Sequence, residues 1–182
     1  MENIIIRPIN LSDVNALQYI GRETFLEAFA EINTEENMRK YLEESFSIMQ
    51  LEKELSNPLS PFYFAELNNE VIGYLKLNTG EAQKENAHEN ALEIERIYVL
   101  RAYHGKKVGQ LLYQKAIEVA QQMEVDHVWL GVWEKNFRAM SFYKKNGFVA
   151  FDEHVFVLGD DCQTDIMMKL NLKVKQDESI GQ

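Results

Sequence analysis

The spacing of apolar residues changes at identifiable points along the chain, and each change marks an element. Ile4, Ile5 and Ile6 read as a short strand stopped at Pro8. Ser12-Asp13 then resembles an N-cap, followed by Val14, Leu17, Ile20, Phe25 and Phe29 at helical intervals. Thr34 opens a second helix with Met38, Tyr41, Leu42 and Phe46 turned inward. A third, from about Ser47, should end before Asn57-Pro58, because the residue before a proline avoids helical dihedrals. From Phe62 the period drops to two. Phe62 to Glu66 and Val71 to Leu77 flank Asn68-Asn69, a hairpin signature.

A polar stretch from Gly80 to Asn90 reads as a loop, after which Ala91 to Val99 makes the next strand. Between about Gly105 and Met123 the period returns to the helical one, carried by Val108, Leu111, Leu112, Ala116, Val119 and Ala120. His127 to Val132 is again a strand. A strand-helix-strand connection of this length implies a parallel pair with a right-handed crossover. Asn136 to Asn146 predicts a further helix, with Gly147 as a left-handed stop. Val149 to Leu158 and Gln163 to Leu170 close the chain as a hairpin around Gly159-Asp160-Asp161. The expectation is an α/β domain over residues 1–172 with a polar tail over 173–182.

Composition narrows the possible functions. At 182 residues and 46% apolar content the chain suits one packed core. A formal net charge of −10 argues against nucleic acid, which needs a basic face, and favours small cationic partners. The single cysteine, Cys162, leaves no internal disulfide, and the start Met-Glu-Asn lacks a signal run; both point to the cytoplasm. No run reaches the roughly 18 apolar residues of a membrane span. His88, His104, His127 and His154 form no closely spaced pair, so no metal site is expected. Cys162, beside Asp160 and Asp161 in the hairpin turn, carries no sign of activation.

The stretch from Glu93 to Tyr113 is the richest in chemistry, a strand breaking at a glycine-bearing turn and restarting as a helix. Backbone N–H groups of such a turn have no intrahelical partner and lie at the positive end of the helix dipole, where a diphosphate could satisfy them. A plain strand-to-helix turn is the alternative, and spacing does not choose between them. Glu93 and Glu95, two apart on one strand, share a face. They are candidates for a base or a cation anchor, or else solvent-facing carboxylates.

Ile97-Tyr98-Val99 through Gly105 and Gly109, with Trp129 to Asn136, Arg138-Ala139 and Phe142 to Phe148, resembles the GCN5-related N-acetyltransferases. Trp129 to Asn136 together with Leu158-Gly159, Gln163-Thr164-Asp165 and Met168 is similar, more narrowly, to the PaiA-type bacterial polyamine acetyltransferases. The resemblance spans about Ile4 to Leu170. It implies a mixed, mostly antiparallel sheet of about seven strands, splayed at a central parallel pair and flanked by helices. It also implies acetyl-CoA as cosubstrate and transfer of the acetyl group to an amine, a polyamine or similar small cation. A homodimer, through the last hairpin, is a family expectation. The alternatives are a CoA-binding regulatory protein and an acetyltransferase of protein or peptide amines.

Carried over residue by residue, the cofactor contacts fall on Ile97, Tyr98, Val99, His104, Gly105, Lys106, Lys107, Val108, Gly109, Gln110 and Asn136. Oxyanion donors are expected from backbone N–H groups near Val99, where the family strand bulges. Tyr143 matches the general-acid tyrosine that reprotonates the leaving thiolate; on its own it reads as a core aromatic. For Asn136 the alternative is an N-cap, which would compete for the same side-chain carbonyl. Phe25, Phe29 and Trp133 are candidate walls of the acceptor channel, or core. The chain departs from the family at its phosphate fingerprint: His104 stands where Arg or Gln is usual, and Lys107 where the middle glycine is. Helical dihedrals at Lys107 would make the change tolerable, at some cost in CoA affinity.

Overall fold

The structure is a computed structural model and describes residues 3–85 and 89–173. His88 and the tail beyond residue 173 lie outside the described residues. The strands are β1 (Ile4–Pro8), β2 (Phe62–Leu67), β3 (Glu70–Thr79), β4 (Ala91–Val99), β5 (His127–Trp133), β6 (Val149–Leu158) and β7 (Asp161–Asn171). The helices are α1 (Val14–Phe29), α2 (Glu35–Ser45), α3 (Ile48–Leu55), α4 (Val108–Gln122) and α5 (Phe137–Lys145).

All seven strands form one sheet in the order β1-β2-β3-β4-β5-β7-β6. Of its neighbouring pairs, β4 with β5 is parallel and the others antiparallel. The expected α/β class and splayed mixed sheet are therefore present. Local chemistry explains the elements. Asn68 and Asn69 both take positive φ, 51° and 65°, as a two-residue hairpin turn requires. Thr34 and Ser47 cap α2 and α3 by accepting from the N–H groups of Asn37 and Gln50. At the start of α1 the expectation shifts. Asn10 caps a preceding 3₁₀ turn in a reciprocal box with Asp13, while Asp13 also pairs with Arg7 at 3.0 Å. Cys162 lies in β7 rather than in the turn.

Two cores sandwich the sheet. On one face α4 and α5, with Phe148 just beyond α5, pack Leu112, Ala116 and Tyr143 against Leu75, Leu92, Ile94 and Leu130. On the other, α1–α3 pack Leu17, Ile20, Phe46 and Leu51 against Phe62, Phe64 and Tyr74. In β4 the alternation between these faces is interrupted. Lys76 of β3 pairs with Arg96, but the next residue, Leu77, pairs with Ile94, so Glu95 is an extra residue, a β-bulge. Leu92, Ile94, Ile97 and Val99 all join the α4 side. Tyr98 and Arg96 turn to the other side, where the Arg96 guanidinium lies over the Phe46 ring. The bulge thus sits at Glu95, four residues before the expected place near Val99. It puts Glu95 and Arg96 next to each other on the α1–α3 face.

Candidate active site

Hydrogen-bonded pairing between β4 and β5 ends at Glu93 opposite Trp129. Beyond that point β4 continues along β3 as far as Val99, and β5 continues along β7 as far as Trp133. The two strands diverge at their carboxyl ends, where open α/β sheets hold ligands. A cleft of about 1090 Å³ fills the divergence and is lined by Ile97, Tyr98 and Val99 on one side and by Leu130 to Trp133 on the other.

One end of the cleft is the turn before α4. Gly105 takes φ +78°, and a Cβ built on Gly105 or Gly109 meets no atom within 4 Å, so the backbone there is open to a ligand. The first α4 turn is closed by Leu111 N–H donating to the Lys107 carbonyl, and no side chain caps the helix. The N–H groups of Val108, Gly109 and Gln110 precede that bond and are free for an anion. Lys107 departs from expectation. Its φ of 64° and ψ of 12° are left-handed rather than helical, the conformation that glycine adopts without strain. His104 bridges across the turn: its Nε2 lies 2.8 Å from the Val99 carbonyl, and Nδ1 lies 3.1 Å from Arg138 Nη1 of α5. His104 thus links the end of β4 to α5 and positions Arg138 beside the turn. Lys106 is not among the cleft-lining residues; its ammonium lies over the ring of Tyr103, which is one of them.

Tyr143 reaches the middle of the cleft from α5 and is 6% exposed; burial pushes its phenol pKa upward. Asn136 lines the cleft and caps α5, its Oδ1 accepting from Ala139 N–H at 3.1 Å.

The other end is aromatic and ionic. Phe25 stacks on Tyr41 at 4.4 Å and touches Phe29, and all three line the cleft with Phe156. Trp133 lines it from β5. Neither strand carboxylate is solvent-facing. Glu93 is 4% exposed, outside the cleft lining, and accepts from Asn78 Nδ2 at 2.9 Å and Lys84 N–H at 3.0 Å; burial raises its pKa. Glu95 does line the cleft, but three cations surround it: Lys76 at 2.6 Å, Lys84 at 3.1 Å and Arg96 at 4.0 Å. Burial alone would raise its pKa, yet Arg96, Lys76 and Lys84 hold it well below the usual carboxylate range. Glu54 of α3 completes the cluster by pairing with Lys76 and Arg96.

Sequence reasoning missed Asp165 and Gln163 as site residues, although both line the cleft from β7. They became visible only because β7 inserts beside β5, putting Asp165 opposite Trp133. It also missed Lys84 and Arg138, whose polar surroundings read as loop and helix surface.

A model of the acetyltransferase (GNAT) family matches residues 23–148. The chain belongs to that family. This GNAT acetyltransferase is 41% identical to an uncharacterised N-acetyltransferase in the pepI 3′ region of Lactobacillus delbrueckii subsp. lactis, over 93% of this chain and 98% of the relative. It is 28% identical to a spermidine N(1)-acetyltransferase of Thermoplasma acidophilum, over 82% and 91% of the two chains. Among solved structures, PaiA N-acetyltransferase from Thermoplasma acidophilum, crystallised with coenzyme A, superposes with a TM-score of 0.76 at 26% identity, covering 93% of this chain and 99% of that one.

Proposed function

We propose that the enzyme transfers the acetyl group of acetyl-CoA directly to a primary amine, a polyamine or a similar small cation. The observation that carries this reading is the continuous cleft, with free helix N–H groups at one end, Tyr143 in the middle and carboxylates among aromatic rings at the other. The residues fit the cosubstrate. The open backbone at Gly105 and Gly109, the N–H groups of Val108 to Gln110 and the Arg138 guanidinium suit a diphosphate, and the Ile97 to Val99 edge suits the pantetheine arm. The PaiA relative was crystallised with coenzyme A and the Thermoplasma acidophilum relative is named for spermidine, which supports the same assignment.

Chemically, an alkylammonium with a pKa of about 10 must lose a proton before it can attack. A cleft carboxylate receives that proton, and an acceptor cation can take the place of Lys84 on Glu95. The nitrogen lone pair adds to the thioester carbonyl, and backbone N–H groups near Val99 stabilise the oxyanion. Collapse breaks the C–S bond, and Tyr143 protonates the departing thiolate while the nitrogen gives up its second proton to solvent. Burial keeps the Tyr143 phenol protonated, although the raised pKa also makes it a weaker acid than an exposed tyrosine.

A panel of amines assayed with acetyl-CoA for thiol release tests the proposal, with diamines and polyamines expected to be the best acceptors. Exclusive use of a peptide N-terminus would overturn the polyamine assignment. The left-handed Lys107 in the phosphate turn favours one rival, a CoA-binding protein that no longer catalyses; tight CoA binding without acetylation of any amine would establish it. We further propose a homodimer through β6, the edge strand, which exposes Val149, Phe151, Val155 and Val157. A monomeric mass in solution would exclude it. The same reading places the enzyme in the cytoplasm, alongside acetyl-CoA.

A further inference from the structure

Glu95 is poorly suited to take a proton from the acceptor, because Lys76, Lys84 and Arg96 already occupy it. Glu93 is buried outside the cleft. A third carboxylate faces the cleft under different conditions. Asp165, half-buried on β7, has no hydrogen-bond donor or ion-pair partner for its side chain among the described residues. A Cβ added at Gly131 would come 3.5 Å from Asp165 Oδ2, which places the carboxylate over β5 where that strand has parted from β4.

A second, independent observation lies two residues back on the same strand face. Gln163 is 8% exposed, and its Nε2 donates to Asp161 Oδ2 at 3.0 Å, which fixes the orientation of the amide. The Oε1 atom on its other side is buried with no partner among the described residues, although the residue lines the cleft. Buried acceptors without donors are uncommon, and their natural complement is a ligand that brings donors. An ammonium brings three and accepts none.

We propose that Asp165 and Gln163 Oε1 form the subsite that receives the acceptor's reacting ammonium, and that Asp165 takes its proton. This rests on the acetyl-transfer reading and names the acceptor end of that site. One N–H proton passes from the ammonium to the Asp165 carboxylate, freeing the lone pair that forms the C–N bond. Asp165 then returns the proton to solvent. The Glu95 cluster is left to hold a second cationic centre, which must displace Lys84, the exposed member of the cluster. An acceptor with two amines satisfies both places.

The electrostatic surroundings agree. Burial raises the Asp165 pKa and outweighs the opposing pull of His154 on β6 and Lys84 on the loop after β3. His154 is itself paired with Glu85 at 2.6 Å, and Tyr98 approaches from β4. A carboxylate with a raised pKa is a stronger base than an ordinary one.

The test combines kinetics and binding, with 1,4-diaminobutane and 1-aminobutane as acceptors. Asp165→Asn should lower kcat/KM for 1,4-diaminobutane by roughly 100-fold or more, the usual contribution of a general base. It should also abolish the acidic limb of the kcat/KM profile, and Asp165→Glu should restore part of the rate together with that limb. Gln163→Met should weaken diamine binding several-fold in calorimetry with CoA present. CoA affinity within twofold of wild type shows that each variant is folded. Asp165→Asn activity within threefold of wild type with an unchanged acidic limb overturns the subsite and leaves the acetyl-transfer reading standing. A wild-type enzyme that acetylates neither amine, yet binds 1,4-diaminobutane more tightly than Asp165→Asn does, overturns the reading and keeps the subsite. Equal diamine binding by both proteins overturns the subsite regardless of turnover.

Discussion

The two ends of the cleft are built from different materials. The phosphate end is backbone: a contiguous turn from Tyr103 to Gln110 offers N–H groups, and its side chains matter mainly for the dihedrals they permit. The acceptor end is side chains drawn from α1, α2, β4, β5, β6, β7 and the loop after β3, backed by Lys76 of β3 and Glu54 of α3, with charges held at 2.6 to 4.0 Å. Within it, two carboxylates face one cavity in opposite states. Glu95 is saturated with cations, and Asp165 has no ion-pair partner among the described residues. Paired charge stabilises the fold, while unpaired charge is kept available for chemistry at some expense of stability.

Glu95→Gln should break this contrast most severely. It leaves Lys76, Lys84 and Arg96 facing one fewer anion, with Lys76 and Arg96 almost buried. Removing one partner of a buried ion pair costs about 3–5 kcal/mol. For a chain of this size that lowers Tm by roughly 10 °C. The folded Glu95 pKa is depressed, so its contribution is complete above the ordinary glutamate pKa of about 4.3 and is lost as pH falls through the folded value. The gap between wild type and Glu95→Gln should accordingly be full at pH 7 and narrow below about pH 4. Asp165 has the opposite sign. Its folded pKa is raised, so its ionisation opposes folding at neutral pH, and Asp165→Asn should leave Tm unchanged or increase it. Thermal melts of the two variants from pH 3 to 8 check both; parallel losses at pH 7 would show that Asp165 is structural after all.

Between the two ends, Tyr143→Phe removes one oxygen from the cleft and none of the packing against Phe142 and Phe148. Turnover should fall about 100-fold, with CoA affinity within twofold, because a general acid acts on the leaving group rather than on binding. Single-turnover rates and calorimetry separate the two quantities, and unimpaired turnover would reduce Tyr143 to a core aromatic.

The ends also differ in how far the sequence disclosed them. A contiguous turn is legible because its helix period, glycines and preceding strand lie within one stretch, and the hairpin at Asn68-Asn69 is legible for the same reason. Ionic partners such as Glu54, Lys76 and Arg96 come together through strand register and a bulge, neither of which has a local signature. Glu93 and Glu95 do share Asn78 Nδ2 as a common donor, as their spacing suggested. Which of them meets the cleft depended on where β4 leaves β5. Asp165 and Gln163 carry no local sign of chemistry in the sequence, because only the order β5-β7-β6 brings them to the cleft.

Lys107 is the point where the legible end was misread, and it supplies the smallest effect. A residue at φ 64° and ψ 12° incurs about 1–2 kcal/mol unless it is glycine. The greater backbone freedom of glycine in the unfolded chain returns part of that gain. Lys107→Gly should therefore stabilise the protein by about 1 kcal/mol, or roughly 2–4 °C in Tm. Two effects compete in CoA binding: losing the Cβ opens the backbone to the diphosphate, and losing the ammonium removes a favourable charge. At low salt the charge should dominate and affinity fall slightly. Near 0.5 M salt, where the Debye length shrinks to a few ångströms, the open backbone should dominate and affinity rise. Calorimetric titrations of CoA at the two ionic strengths, beside a melt of each protein, read both terms. A lower Tm for Lys107→Gly would mean that the lysine side chain stabilises the turn by more than its left-handed backbone costs.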